Sequence, residues 1–243
     1  MEHLTDFADD RLVGGCIYCT GLPETREHVP SRTFLEKPYP ENLPVVGSCK
    51  KCNEGFSKDE QYVVCLLESV LAGSTEPEGI RRASVGRALH RAPALRARIE
   101  SSITRTNGRI VFGVEEDRVN RVMLKLAKGH AVYELSEIFR GEPAHFWCDP
   151  LEAMTPDQYD EFSAPHFPQV FGEVGCRNLQ RLTVVHVPSQ AEDGDACSVA
   201  LLMNDWIEVQ QGFYRYQAIS DTCGVLIRIV IADYLACEVA WEL

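Results

Sequence analysis

Between residues 117 and 139, Val119, Val122, Met123, Leu126, His130 and Tyr133 recur at the spacing of one helix face, so this stretch predicts a long amphipathic helix. A second helix is expected to start around Cys52 and to run through Asp59, Glu60, Val64, Leu67 and Val70 to Gly73. Residues 80–106 read as helical in pieces, with Pro93 interrupting them. After Pro143 the texture changes. Leu182–Val187, Val199–Met203, Ile207–Ile219 and Val225–Val239 are rich in β-branched and aromatic residues and predict strands, with Gly224 as a break. Residues 12–60 are turn-rich: Gly14, Gly15 and Gly21 signal turns, and Pro38, Pro40 and Pro44 forbid a long helix. The pattern predicts an α+β chain in three parts. These are a small N-terminal module (1–73), a helical connector (74–110) and a C-terminal region (111–243) built mainly on an antiparallel sheet.

Composition sets the class. Hydrophobic residues make up 45% and charged residues 25% of the 243 positions, as in ordinary soluble domains. No window approaches the run of about 18 apolar residues that a membrane span requires. Residues Met1 to Arg11 are acidic and polar, the wrong chemistry for a secretory leader, so a cytoplasmic protein is expected. In a reducing compartment the ten cysteines read as metal ligands or buried thiols rather than disulfides. Four form two C-x-x-C pairs, Cys16/Cys19 and Cys49/Cys52, with 29 residues between them. Two such knuckles complete a closed tetrahedral site, and a module this poor in core residues needs that staple to fold. Cys65, Cys148, Cys176, Cys197, Cys223 and Cys237 stand alone and are expected to be small buried hydrophobes.

The net charge of −12 argues against a nucleic-acid binder, but it is unevenly spread. Residues 61–110 hold 8 arginines against 4 acids, whereas residues 111–243 hold 9 bases against 21 acids. Arginine's planar fork suits phosphate, so Arg81, Arg82, Arg87, Arg91 and Arg98 are candidate nucleic-acid contacts, with Lys58 on the preceding helix. The acidic C-terminal region would repel nucleic acid and mask these arginines. It carries no Gly-rich phosphate loop and is expected to serve as a scaffold, a homodimer surface or the docking site of a regulatory protein.

Around the knuckles the chain reads C-I-Y-C, T-R-E-H-V-P, E-N-L-P and C-K-K-C-N-E-G-F-S-K-D-E. This succession resembles the HNH endonuclease superfamily, in the branch whose ββα-metal fold is held by four cysteines. The resemblance covers roughly residues 14–62. It implies a structural zinc on Cys16, Cys19, Cys49 and Cys52, His28 as general base, and Glu27 and Asn53 as ligands of a catalytic Mg²⁺ or Mn²⁺. Asn42 would be the middle letter, which orients the loop. The family more often has Asp or His where this chain has Glu27. The implied activity is hydrolysis of phosphodiesters, in DNA ahead of RNA, with an RNA-directed nuclease as a further alternative. The chemistry is coherent: a neutral imidazole deprotonates water near neutral pH, and a hard ion on a carboxylate and an amide oxygen contacts the phosphate. Each residue also has a plainer use. Glu27 and His28 would serve in the turn of a zinc ribbon, Asn53 as a helix cap, and Asp59 and Glu60 as complements to the helix dipole. On those readings the module is a zinc-folded adaptor without catalysis.

Overall fold

The computed structural model describes residues 14–41, 43–106, 108–170, 175–190 and 196–242. The leader reading of Met1 to Arg11 and the middle-letter assignment of Asn42 lie outside them.

The N-terminal part contains one hairpin and one helix. Strand β1 (Thr25–His28) pairs antiparallel with β2 (Val45–Ser48), and Cys49 follows β2 directly as the cap of α1 (Lys50–Ala72). Between the strands the only helical turn among the described residues is the 3₁₀ segment Arg32–Phe34, in keeping with the prolines there. Helix α1 stops where expected: Gly73 takes a left-handed φ of 63° and donates its N–H back to Ser69 and Val70. The connector then forms α2 (Ala83–Arg91) and α3 (Pro93–Ser101), divided by the proline, which occupies the first position of α3. Its end is not helical. Residues Ile103–Thr106 form β3 and pair antiparallel with β4 (Arg109–Phe112).

Helix α4 (Glu116–Leu135) is the long helix predicted from the apolar stripe, ended at Ser136 by a left-handed residue. Strand β5 (His145–Pro150) leads to α5 (Pro156–Ser163), which opens with a Thr155–Gln158 capping box. A short α6 (Arg177–Arg181) precedes β6 (Thr183–Gln190) and β7 (Ala196–Met203), a separate two-stranded ribbon. The long strand expected over 207–219 is two strands, β8 (Ile207–Gln210) and β9 (Tyr214–Asp221). The stretch 225–239 likewise divides into β10 (Gly224–Ile231) and β11 (Leu235–Trp241). Its turn closes from Tyr234 N–H to the Ile231 carbonyl, with positive φ at Ala232 and Asp233.

These strands form one antiparallel sheet in the order β5-β11-β10-β9-β8. Strand alternation decides what covers each face. Ile227, Ile229 and Ile231 point into the main core with Val122, Met123 and Leu126 of α4 and with Val63, Leu66 and Leu67 of α1. Val230 and Ala236 point the other way, onto Phe162 of α5. The sheet is therefore sandwiched between α4 with α1 and the shorter α5. Phe34, Leu35 and Leu43 from the β1–β2 loop join the same core, so its side chains are drawn from residue 34 to residue 241.

Candidate functional site

The four paired cysteines converge. Their Sγ atoms all lie within 4.8 Å of one another, and Cys19 and Cys49 are 3.7 Å apart. A tetrahedral ion with sulfur bonds of about 2.3 Å needs sulfurs about 3.8 Å apart, so this donor set fits a closed four-coordinate metal such as zinc. Backbone geometry builds the cradle. Gly21 donates its N–H to Cys19 Sγ at 3.3 Å, and Cys52 N–H donates to Cys49 Sγ at 3.4 Å. A Cβ on Gly21 would come within 3.3 Å of the Cys19 sulfur, so the knuckle has little room for a side chain there. At Cys16, burial alone would raise the thiol. Hydrogen bonds with Cys49, Tyr18 and Cys19 outweigh it and bring the pKa down to about 7. In the same cluster, against the pull of the Gly21 N–H, the neighbouring thiols raise Cys19, and burial together with those thiols raises Cys52, so Cys16 gives up its proton ahead of both.

The hairpin and α1 meet beside this cluster. Thr25 pairs with Ser48 and donates its hydroxyl to the Ser48 carbonyl at 2.9 Å. Asn53, in the first turn of α1, donates its amide Nδ2 to Thr25 Oγ1 at 3.1 Å. That bond fixes the side chain after the fourth cysteine against the strand carrying Glu27 and His28. It also leaves Asn53 Oδ1 as an uncommitted acceptor among the described residues.

Glu27 and His28 are neighbours on β1, and the pleat turns them to opposite faces. Glu27 shares its face with Val29 and with its cross-strand partner Val46, which pack on Val132 of α4 in a small apolar cluster beneath Tyr18. His28 lies half-buried on the other face, opposite Val45. The Glu27 carboxylate is nearly sealed from solvent. Its Oε1 accepts from Lys125 Nζ at 2.8 Å, and the same ammonium bonds Glu60 of α1. Burial raises the pKa of Glu27, against the pull of the Lys125 charge. The expected acidic metal ligand is thus already partnered, while Oε2 makes no described hydrogen bond.

Sequence reading missed this arrangement. Asp59 and Glu60, expected as first-turn complements to the helix dipole, lie in the third turn of α1 and are buried against Arg118, Arg121 and Lys125 of α4. Asp59 accepts from Arg121 at 2.7 Å and pairs with Arg118 at 3.3 Å, one helical turn from the Lys125–Glu60 pair. The available signal was the row Arg118, Arg121, Lys125 on α4, flanking the apolar stripe at i, i+3 and i+7.

The arginine block also needs correcting. Arg82 is 6% exposed: its guanidinium bonds Glu36 and the carbonyls of Thr33 and Leu35, so it holds the β1–β2 loop and cannot reach a phosphate. Arg81 pairs with Glu68 and Arg98 with Glu115. Arg96, another of the eight arginines, pairs with Glu76. Only the Arg98 bond comes from the acidic C-terminal region. Arg87, Arg91 and Lys58 are exposed and form no ion pair with a described residue.

Elsewhere His130 is fully buried, stacked 3.7 Å from the Tyr216 ring and bonded to Tyr214 at 2.8 Å. Burial, and secondarily Arg181, pushes its pKa down to about 3, so it is a neutral core residue. Cys65, Cys176 and Cys237 are buried as expected of lone cysteines, whereas Cys223 is exposed. Among the described residues no helix is long and apolar enough to cross a membrane. No protein family matches the chain, and neither a curated protein nor a solved structure does so.

Proposed function

We propose that the N-terminal module is an HNH-type nuclease that hydrolyses phosphodiester bonds of DNA, with one structural Zn²⁺ on Cys16, Cys19, Cys49 and Cys52. One observation carries this reading. The strand bearing Glu27 and His28 and the first turn of the helix after the fourth cysteine are joined by the Asn53–Thr25 hydrogen bond, beside a four-sulfur cluster that locks both in place. That is the ββα order on which the sequence resemblance rests.

Glu27 Oε2 and Asn53 Oδ1 would hold a Mg²⁺ or Mn²⁺, which would neutralise charge on the phosphate and the leaving oxygen. The protein's own part follows from its side chains. On this reading His28 accepts the proton of the attacking water, but the pleat of β1 turns its side chain to the face opposite Glu27, an observation that favours the adaptor reading below. Thr25 holds the Asn53 amide in one orientation. Lys125, itself held by Glu60, fixes the Glu27 carboxylate, and this pre-organisation removes reorientation from the reaction. Of the cations expected to contact nucleic acid, Arg87, Arg91 and Lys58 are exposed and without an ion pair among the described residues, and on this reading they meet the DNA backbone.

A zinc-folded adaptor is the second reading, favoured by the commitment of Glu27 to Lys125. One assay separates them. The full chain incubated with supercoiled plasmid and Mg²⁺ or Mn²⁺ is expected to nick or linearise it, and His28→Ala to abolish cutting while zinc content stays at one ion per chain. Absence of cutting by the parent, or equal cutting by His28→Ala, overturns the nuclease reading. Cutting of single-stranded RNA alone reassigns the substrate.

A further inference from the structure

A groove of about 740 Å³ lies where the hairpin β3–β4, helices α1 and α4, and strand β5 approach one another. It is unusual in what borders it. Residues 109–112 of β4 and 146–150 of β5 line it consecutively, so strand edges as well as side chains face it. Among the described residues each of these strands has one hydrogen-bonded neighbour, β3 and β11 respectively.

The ladders show which backbone groups are left over. An antiparallel strand turns the N–H and C=O of alternate residues toward its partner. Leu151 N–H donates to Tyr234 directly opposite on the β11 side, so Asp149 and Trp147 face β11, and Phe146 and Cys148 turn their N–H and C=O outward. Gly113 N–H donates to Ser102, so by the same count Ile110 and Phe112 of β4 turn theirs away from β3. No described backbone group accepts from these four N–H groups. Trp147 and Asp149 also border a cavity on the α5 face, so the groove follows the edge of β5 rather than one face of the sheet.

The floor is apolar, made by Val63, Leu67 and Val70 of α1 and Val119 of α4. Ile110 and Val111 stand 40% and 50% exposed beside it. The rim carries Glu116, Asp149 and Glu152 against the single base Arg109. Two unpaired strand edges facing one apolar trough call for an occupant with a backbone ladder of its own, apolar side chains at alternate positions and a positive balance. The volume lies in the range of about 300–1,000 Å³ typical of ligand clefts, which admits a short segment and excludes a folded domain.

We propose that this groove receives an extended, basic peptide segment of a partner protein, which adds as a strand between β4 and β5. The groove shares helix α1 with the zinc module, but none of the paired cysteines, Glu27, His28 or Asn53 lines it, so its occupancy does not depend on whether that module cleaves DNA. A displayed library of random ten-residue peptides, selected on the full chain, tests it. Enriched sequences are expected to alternate apolar residues with Lys or Arg. N-methylation of two interior amides, which removes ladder donors without changing side chains, should weaken binding about tenfold. Ile110→Pro deletes an outward N–H and spares the β3 ladder, so it should weaken binding by a similar factor, and Ile110→Ala by less than about threefold. Failure to enrich any sequence, or equal binding of N-methylated and plain peptides, overturns the proposal. So does a dimer in light scattering that Ile110→Pro dissolves, because the edges would then pair with a second copy of the chain.

Discussion

At the scale of single residues, burial decides more than identity. His130 belongs to the apolar stripe that revealed α4, and the structure keeps it there as a neutral ring between Tyr214 and Tyr216. Its folded pKa of about 3 lies far below the ordinary histidine value near 6.5, so the unfolded chain binds this proton more readily than the native one. The sign follows: His130 leaves stability untouched above pH 6.5 and costs stability as pH falls below it, by up to about 1.4 kcal/mol per unit. Glu134, one turn along, opposes this trend. Burial raises its carboxyl, so the native state takes that proton first as the solution is acidified. Comparing the parent with His130→Gln isolates the imidazole. Urea midpoints from pH 7 to 4.5 are expected to fall more steeply in the parent, and parallel curves would show that the ring is not sealed from protons. Nothing in the sequence marks this histidine as structural except its place in the stripe. For Glu27 even that clue is absent, because β1 is too short for an alternation pattern to declare which face is buried.

At the scale of elements, what was legible depended on range. The cysteine knuckles, the stop at Gly73, the break at Pro93 and the stripe of α4 are local signals, and each reappears in the structure within a few residues. The hairpin β3–β4 departs from the helical pieces expected over 80–106: Asn107-Gly108 is a strong two-residue turn signal, but Arg105 and Arg109 beside it hide the alternation of a strand within a basic stretch. The joint between α1 and α4 was out of reach, since Lys125 meets Glu27 and Glu60 across 98 and 65 positions of chain. That joint has a measurable weight. Replacing Lys125 by Met leaves two carboxylates buried side by side with no cation. Breaking a buried ion pair in this way costs about 3–5 kcal/mol, whereas removing both charges of a pair costs far less. Lys125→Met should therefore lower the urea midpoint sharply, and adding Glu27→Gln and Glu60→Gln should restore a good part of it. A triple variant no more stable than Lys125→Met alone would place the loss in packing of the lysine stem instead.

At the scale of the whole molecule, the three parts read from composition share one interior. The change from basic to acidic residues near position 110 marks a change of surface, not of core: Leu66 and Leu67 from before it lie with Val122, Leu126, Ile227 and Ile229 from after it. Helix α1 therefore has two duties. Its first turn closes the cysteine cluster and holds Asn53, and its remaining turns form a wall of the interior shared with α4 and the sheet. A chain cut after residue 110 would keep every cysteine of the cluster yet expose that wall, together with the carboxylates of Asp59 and Glu60 stripped of Arg118, Arg121 and Lys125. Removing so much apolar contact outweighs what one metal site restores to a short module. The 1–110 fragment is expected to be recovered as aggregate, or as a zinc-loaded chain whose circular dichroism shows less helix than α1 alone would give. A soluble fragment with α1 fully formed and a cooperative thermal transition would show instead that the zinc module folds by itself, and that residues 111–243 are an attachment rather than its support.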